Sequence, residues 1–447
     1  MPEPTNVVLV MSDEHRPDAL GCAGHQLVET PTLDALAVEG TRFSAAYCSS
    51  PLCAPSRASF ATGRYVHETG YWDNATPYDG AIPSWGQHFT DHGIDVTTVG
   101  KLDFAPDVDD GFADQRLATH RETPDVYGLH REPPLVRERG RERILAAGPA
   151  ADGEAWYVDR EEATTREAIR FLEAEAANDE PFVLWVNYIL PHFPLVAERR
   201  YYDRYPTEAV DLPIEYPATD DHPILEELRA HFDGRGVDER VLRRTRAAYY
   251  GLCTALDRTG LAEDTLVLYA SDHGEPLGDH EVWWKCCMYE PSVGVPVIAR
   301  GPGVESGVTH DAPISLLDLV PTMADAVGVD PDEDWRGRSL LPVLRGEREP
   351  DPDRMVFSEY HAHGTSRGMF MLRRGRFKYV YYPTQPDQLF DRRADPDERR
   401  NLAGEPDYVD VRAQFERELH ELVDPDAVDE QARSEQRERL ADLEGST

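Results

Sequence analysis

Lysine is almost missing from this chain of 447 residues: only Lys101, Lys285 and Lys378 occur among 46 basic side chains, and the other 43 are arginines. Lysine is ordinarily among the commonest residues. Basic charge as a whole is also short, since 84 carboxylates leave a formal charge of −38. A surface of that sign repels phosphate-rich partners, which excludes nucleic acid and an anionic membrane surface as ligands. No stretch approaches the roughly 18 apolar residues of a membrane span. Met1-Pro-Glu-Pro leads into Asn6–Met11 without the basic region of a signal peptide, so the expectation is a soluble, cytoplasmic protein. The six cysteines (Cys22, Cys48, Cys53, Cys253, Cys286 and Cys287) have no framework spacing, which predicts reduced thiols and no zinc motif. With 40% apolar residues the chain is no disordered acidic tail.

What is present is an alternation of short β-rich apolar runs with amphipathic helical stretches, the pattern of an α/β sheet covered by helices on both faces. Strands are expected at Asn6–Met11, Thr41–Tyr47, Ile94–Val99, Pro181–Asn187, Thr265–Ala270 and Val295–Ala299. Helices are expected at Thr32–Glu39, Pro55–Thr62, Ser84–His92, Val158–Ala177, Val237–Arg258 and Ile314–Val327. Ala105–Gly153 and Val196–Gly236 are charged, Pro-rich and weakly periodic, and read as long insertions that shape substrate access. A Gly/Glu/Pro/Asp cluster at Arg345–Asp353 suggests a linker. Residues 1–345 then form a large α/β domain, 346–424 a small α+β domain with strands at Met355–Tyr360, Gly368–Arg373 and Arg376–Tyr382 and a helix at Pro406–Val423, and 425–447 a charged helical or frayed tail.

Open parallel sheets bind ligands beyond the carboxyl ends of their strands. Four expected strands deliver chemistry there: Ser12-Asp13-Glu14, Gly100-Lys101-Leu102-Asp103, Pro191-His192-Phe193-Pro194 and Ser271-Asp272-His273-Gly274. Asp13, Asp272 and His273 suit one divalent cation, Ca²⁺ or Mg²⁺ by their hard oxygens, with Mn²⁺ or Zn²⁺ left open by the imidazole. Two of the three surviving lysines sit at Lys101 and Lys285, where a compact ammonium makes a point contact that a guanidinium fork cannot reproduce. Lys378 has the weaker claim and reads as a strand end. Tyr71, Trp72, Trp283 and Trp284 are candidates for an aromatic wall, with His361 and His363 overhanging it.

Cys53-Ala-Pro-Ser-Arg57 is a further element, with Cys53 expected just before a helix N-terminus whose free N–H groups favour an anion. The residues alone leave three readings: a low-pKa thiol nucleophile, a Ser56 nucleophile, or a small buried hydrophobe. At this point the chain resembles the formylglycine-dependent sulfatases of the alkaline-phosphatase-like superfamily. Cys53-Ala-Pro-Ser-Arg57 matches their C-x-P-S-R signature, Ala61-Thr-Gly-Arg64 continues it, and Gly93–Lys101 is similar to their second signature. Ser271–Gly274, Leu277–His280, Trp284-Lys285 and the stretch from Arg376 to Leu402 resemble their later segments.

That resemblance implies an α/β/α sandwich with a large mixed sheet and a small C-terminal α+β domain. It also implies conversion of Cys53 by a formylglycine-generating enzyme, and one divalent metal ion, Ca²⁺ foremost, on Asp13, Cys53, Asp272 and His273. The hydrated formylglycine would attack the sulfur of a small anionic sulfate ester; Lys101, Lys285 and His192 would neutralise the transferring group, Arg57 would hold the formylglycine, and His192 or Lys285 would protonate the leaving oxygen. Two positions depart from the family pattern. Asp103 stands where a histidine is usual, and serves as base only if burial raises its pKa; Glu14 stands where many members have a second aspartate, and is a doubtful ligand. A phosphonate monoester or phosphodiester hydrolase, and a non-catalytic metal-binding relative, are the alternatives.

An acid-coated, lysine-poor surface suits concentrated salt, where the Debye length falls to about 3 Å at 1 M. A GC-rich genome accounts for the arginines but not for the carboxylates, so the chain reads as halophilic. Stability and activity are therefore expected to rise with NaCl or KCl into the molar range, as followed by thermal unfolding and ester hydrolysis; a maximum of either in dilute buffer contradicts this reading.

Overall fold

A computed structural model describes residues 5–151, 153–175, 180–215, 222–257 and 265–445; Ala177, Arg258 and the end of the expected tail, 446–447, lie outside them. Val7–Asp13 is buried along its whole length, as a strand must be when helices cover both sides of its sheet. It is central in a nine-stranded mixed sheet with the spatial order Val308–His310, Thr41–Tyr47, Gly294–Arg300, Leu266–Ser271, Val7–Asp13, Phe182–Pro191, Asp95–Lys101 and Asp114–Thr119, with Ile314–Ser315 pairing beside Thr41–Tyr47. The strands from Leu266–Ser271 to Asp114–Thr119 run parallel, and Gly294–Arg300 is antiparallel to both its neighbours.

Helices Trp156–Glu175 and Glu239–Asp257 pack on Phe182–Pro191, while Trp85–Asp91 packs on Asp95–Lys101 and Leu319–Val327 on Val7–Asp13. The architecture is the expected α/β/α sandwich. Strand register is what matters for function: Ser12 lies opposite Ser271, Asp13 opposite Pro191, and Gly100 opposite Asn187. Four adjacent strands therefore end level with one another, and the residues that follow them meet.

Several expectations shift. Ile314–Val327 is not one helix: Ile314–Ser315 pairs with Ala46 and Tyr47, Ser315 and Asp318 cap one another, and the α-helix starts only at Leu319. Strand pairing and the reciprocal cap satisfy backbone groups that a longer helix would otherwise have taken. The insertions also hold regular structure, with Asp114–Thr119 as an edge strand and helices Gly140–Ala146 and Pro223–Phe232. Arg-rich sequence without clean periodicity concealed them.

The C-terminal sheet is antiparallel, in the order Val356–Tyr360, Met369–Arg374, Phe377–Tyr381, Gln388–Asp391. Its side chains alternate between two cores. Met369, Met371, Val380 and Phe390 join the large core, while Phe357, Phe370, Leu372, Tyr379 and Leu389 enclose a second one with Phe415 and Leu419 of helix Val409–Leu422. Lys378, fully buried, is ion-paired with Glu290 at 3.2 Å and with Glu398, so it ties this sheet to the large domain.

The final helix, Pro425–Gly445, is docked chiefly through polar groups. Asp429, 1% exposed, accepts from Gly368 N–H at 2.7 Å and pairs with the buried Arg131 at 3.3 Å; Gln436 donates to Asp73 at 2.8 Å and to the carbonyl of His361 at 2.6 Å. Breaking a buried pair by neutralising one partner strands the other charge. Asp429→Asn is expected to cost about 3 kcal/mol in urea or guanidinium unfolding; a loss near zero would mean that the helix does not depend on this pair.

Candidate active site at the strand ends

Cys53 is the first residue of helix Cys53–Thr62 rather than the residue before it: Leu52, extended, is the N-cap, and Pro55 falls in the first turn, where a missing N–H costs nothing. The N–H of Ala54 is satisfied by Asn74 Oδ1 at 3.1 Å. All ten residues of this helix are buried, and its first turn faces the strand ends. Ser56 Oγ donates to the carbonyl of Asp272 at 2.7 Å, which commits that hydroxyl to structure and removes it as a nucleophile.

Arg57 binds three strand ends at once. Its Nε donates to Asp272 Oδ2 at 2.7 Å, and Nη1 donates to the Lys101 carbonyl at 2.6 Å and to Asn187 Oδ1 at 2.9 Å. Nη2 stands 3.9 Å from Asp13.

Around the thiol the charges converge. Cys53 Sγ lies 3.2 Å from Lys285 Nζ, 3.2 Å from His273 Nε2, and 3.8 Å from both His192 Nε2 and Asp13 Oδ1. Lys101 pairs directly with Asp13. Glu14 Oε2 receives Lys285 Nζ at 3.1 Å and lies 3.2 Å from His192 Nε2. Burial pushes the Cys53 thiol up, as does Asp13, but Lys101, Lys285 and His273 together hold it well below its ordinary value. Burial likewise pushes Asp13 up, and Lys101, His192, Lys285 and Arg57 pull it well below the usual carboxylate range. Asp272 is raised by burial and by Asp13 across the site. Glu14, whose burial outweighs Lys285 and His192, is raised to about 8.

Ligand atoms of Asp13, Cys53, Asp272 and His273 all lie within 4.8 Å of one another, and so do those of Asp13, Glu14 and His192. Glu14 Oε1 is buried with no hydrogen-bond partner. Such a set, rich in carboxylate oxygen and largely buried, fits a divalent cation.

The sulfatase family model matches residues 5–329, and that of the N-sulphoglucosamine sulphohydrolase C-terminal region matches residues 278–424. The chain belongs to the sulfatase family. It is 33% identical over 435 residues to the choline-sulfatase of Rhizobium meliloti (strain 1021), covering 90% of this chain and 83% of that protein. It is also 29% identical over 459 residues to arylsulfatase K of Bos taurus, covering 94% and 82%. Among solved structures, the phosphonate monoester hydrolase of Silicibacter pomeroyi superimposes with a TM-score of 0.74 at 27% identity, covering 93% of this chain and 94% of that one. This sulfatase is a sulfuric ester hydrolase.

The sulfatase cavity over Cys53 measures about 230 Å³ and is lined in part by Asn74, Lys101, Arg121, His192, Phe193 and Trp284. Of the expected aromatic wall only Trp284 is there, joined by Phe193 at a ring distance of 4.6 Å. Trp72 instead reaches Glu435 of the last helix at 2.6 Å, Tyr71 donates to Asp79 at 2.6 Å, and Trp283 packs on Gly234. His363 lines the cavity, whereas His361 is buried on Glu359 at 2.9 Å. Asn74, Asn187 and Arg121 were not singled out by sequence reasoning. Asn187 had a usable signal, a polar residue ending a buried strand; the other two sit in irregular sequence.

Asp103 departs from expectation. Burial pushes its carboxyl up, but Arg121 in direct contact, aided by Lys101 at 4.0 Å, holds it at about 2. It is therefore an ionised counter-charge at neutral pH and not a base with a raised pKa. Because this value lies below the ordinary 3.8, its stabilising contribution is present above about pH 4 and is lost as pH falls through about 2. Asp103→Asn should be less stable than the parent at pH 7, with the gap closing in acid, and should move no limb of the pH–rate profile between pH 5 and 9. Disappearance of a limb in that range would show that Asp103 titrates during turnover.

Proposed function

We propose that this sulfatase cleaves its ester with Cys53 in the formylglycine state, installed by a formylglycine-generating enzyme, and with a divalent cation that Asp13, residue 53, Asp272 and His273 would hold, Glu14 grouping instead with Asp13 and His192. Ca²⁺ is put foremost by the hard oxygens of Asp13 and Asp272. Formylglycine supplies an oxygen nucleophile through its hydrate, and the cation a Lewis acid. The observation that carries this reading is the convergence of four donor residues, Cys53 among them, within 4.8 Å, flanked by two of the chain's three lysines.

The chain's own residues divide the remaining work. Lys101 and Lys285 present fixed ammonium charge where the sulfuryl oxygens gather negative charge, at the floor of a largely buried cavity where a charge is screened less than in bulk water. Arg57 is already committed to Asp272, Lys101 and Asn187, so it orients the reacting end rather than binding ester. His192 Nδ1 lies 2.6 Å from the Phe193 carbonyl, to which it donates. Any second proton then sits on Nε2, which faces Glu14 and Cys53, and this makes His192 the better placed acid for the leaving oxygen. Lys285, its Nζ donating to Glu14 Oε2 at 3.1 Å, is held as a charge clamp.

Similarity to choline-sulfatase and arylsulfatase K puts alkyl and aryl sulfates forward as esters, and similarity to phosphonate monoester hydrolases makes phosphonates the second class. Rates on phenyl sulfate and on a phenyl phosphonate monoester should favour sulfate; substantial preference for the phosphonate reverses the assignment. The Cys53 peptide from the native host should be about 18 Da lighter than the cysteine form, an aldehyde oxygen having replaced the thiol. An unmodified thiol in active enzyme would contradict the mechanism.

A further inference from the structure

Beyond the groups that surround Cys53, the cavity is lined by three arginines, Arg121, Arg137 and Arg143, in a protein whose formal charge is −38. Two of them are already paired. Arg121 contacts Asp103, and Arg137 Nη2 meets Asp125 Oδ2 at 2.5 Å. Arg143 has no carboxylate within ion-pair distance among the described residues. Its guanidinium lies 5.6 Å from the centre of the Phe193 ring, and Lys285 Nζ lies 5.3 Å from the same ring.

Two consequences follow for the alcohol part of the ester. A cationic alcohol would need an open aromatic face, yet Phe193 already serves two cations of the protein, Trp284 packs on that same ring at 4.6 Å, and a third cation at this wall would sit beside Arg143, Arg137 and Lys285. An anion meets the opposite situation: an unpaired guanidinium at the cavity, always protonated and presenting a planar donor fork. Resting on the sulfatase reading above, we infer that the alcohol of the natural ester carries a second anionic group, a carboxylate or another sulfate, which Arg143 binds with Arg137 behind it, and that quaternary-ammonium esters are excluded.

The test compares kcat/KM for 4-carboxyphenyl sulfate, 1,4-phenylene disulfate, phenyl sulfate and choline sulfate, at the salt concentration of maximal stability. A charged hydrogen bond of this kind is expected to favour either doubly anionic ester over phenyl sulfate by about tenfold, with choline sulfate slowest; which of the two leads separates carboxylate from sulfate. Arg143→Gln should cut the anionic-to-neutral ratio by about tenfold and Arg143→Lys should keep most of it. Preference for choline sulfate or phenyl sulfate, or a ratio unmoved by Arg143→Gln, overturns the inference while leaving the sulfatase reading intact. If no ester turns over, that reading is what fails. Calorimetric binding of 4-hydroxybenzoate against choline then still decides the inference, tighter hydroxybenzoate supporting it and tighter choline overturning it.

Discussion

A single buried guanidinium holds the catalytic end together. Arg57 projects from the first helical turn after Cys53 and satisfies one group on each of three strands: the Asp272 carboxylate, the Lys101 carbonyl and the Asn187 amide oxygen. No other side chain has enough donors in one plane for this. It both offsets the cost of burying Asp272 and locks the helix bearing Cys53 to the strands bearing the metal-type ligands. Without it, a carboxylate removed from water would keep only the N–H groups of Glu14 and His273 and lose its cationic partner, a loss of about 3–5 kcal/mol, and the register that brings residues 13, 101, 192 and 272 to one level would lose its clamp.

The few lysines follow the same logic of buried charge. All three lie inside the molecule: Lys101 against Asp13, Lys285 against Glu14 and Cys53, and Lys378 between Glu290 and Glu398. The surface therefore meets solvent with arginine alone as its base, while ammonium is kept where a small, strongly localised charge is enclosed by carboxylates. The reading of Lys378 as a mere strand end missed this. It is a counter-charge at the contact between the two sheets, a role that a single sequence does not expose because its partners lie 88 and 20 residues away.

That contrast explains what was legible. Asp13, Lys101, His192, Asp272 and His273 could be found because each follows an apolar run, and parallel sheets place such ends together whatever the details of packing. The C-x-P-S-R run added Cys53 and Arg57. Asn74 lies in a turn-rich stretch and Arg121, Arg137 and Arg143 in charged, aperiodic ones, where nothing in the local pattern separates a cavity residue from a solvated one. Asp103 shows the same limit from the other side. Its burial was foreseeable, but the sign of its shift depends on Arg121, eighteen residues on, whose approach is a tertiary fact. The last helix is poor in apolar residues and reads as a tail, yet it is held by Asp429 and Gln436, which no hydrophobic pattern reveals.

Chemistry and recognition are thus carried by different parts of the chain. The groups gathered around Cys53 stand on strand ends fixed by sheet register and on the helix Cys53–Thr62 itself, whereas Arg137 and Arg143 come from the insertion that also contains Arg131. Arg131 is anchored to the carbonyls of Thr365 and His361 and to Asp429 of the final helix. His363, two residues beyond His361, lines the cavity itself and lies 3.2 Å from Cys286 Sγ. The wall that meets the alcohol is therefore braced by the C-terminal domain and helix rather than by the central sheet. Loosening that brace should disturb the fit of the alcohol before it disturbs the strand ends, because the strands keep their own hydrogen bonds and Arg57 keeps its three partners. A sulfatase built this way can change its ester by altering the insertion and its C-terminal support without rebuilding the centre that breaks the sulfate bond.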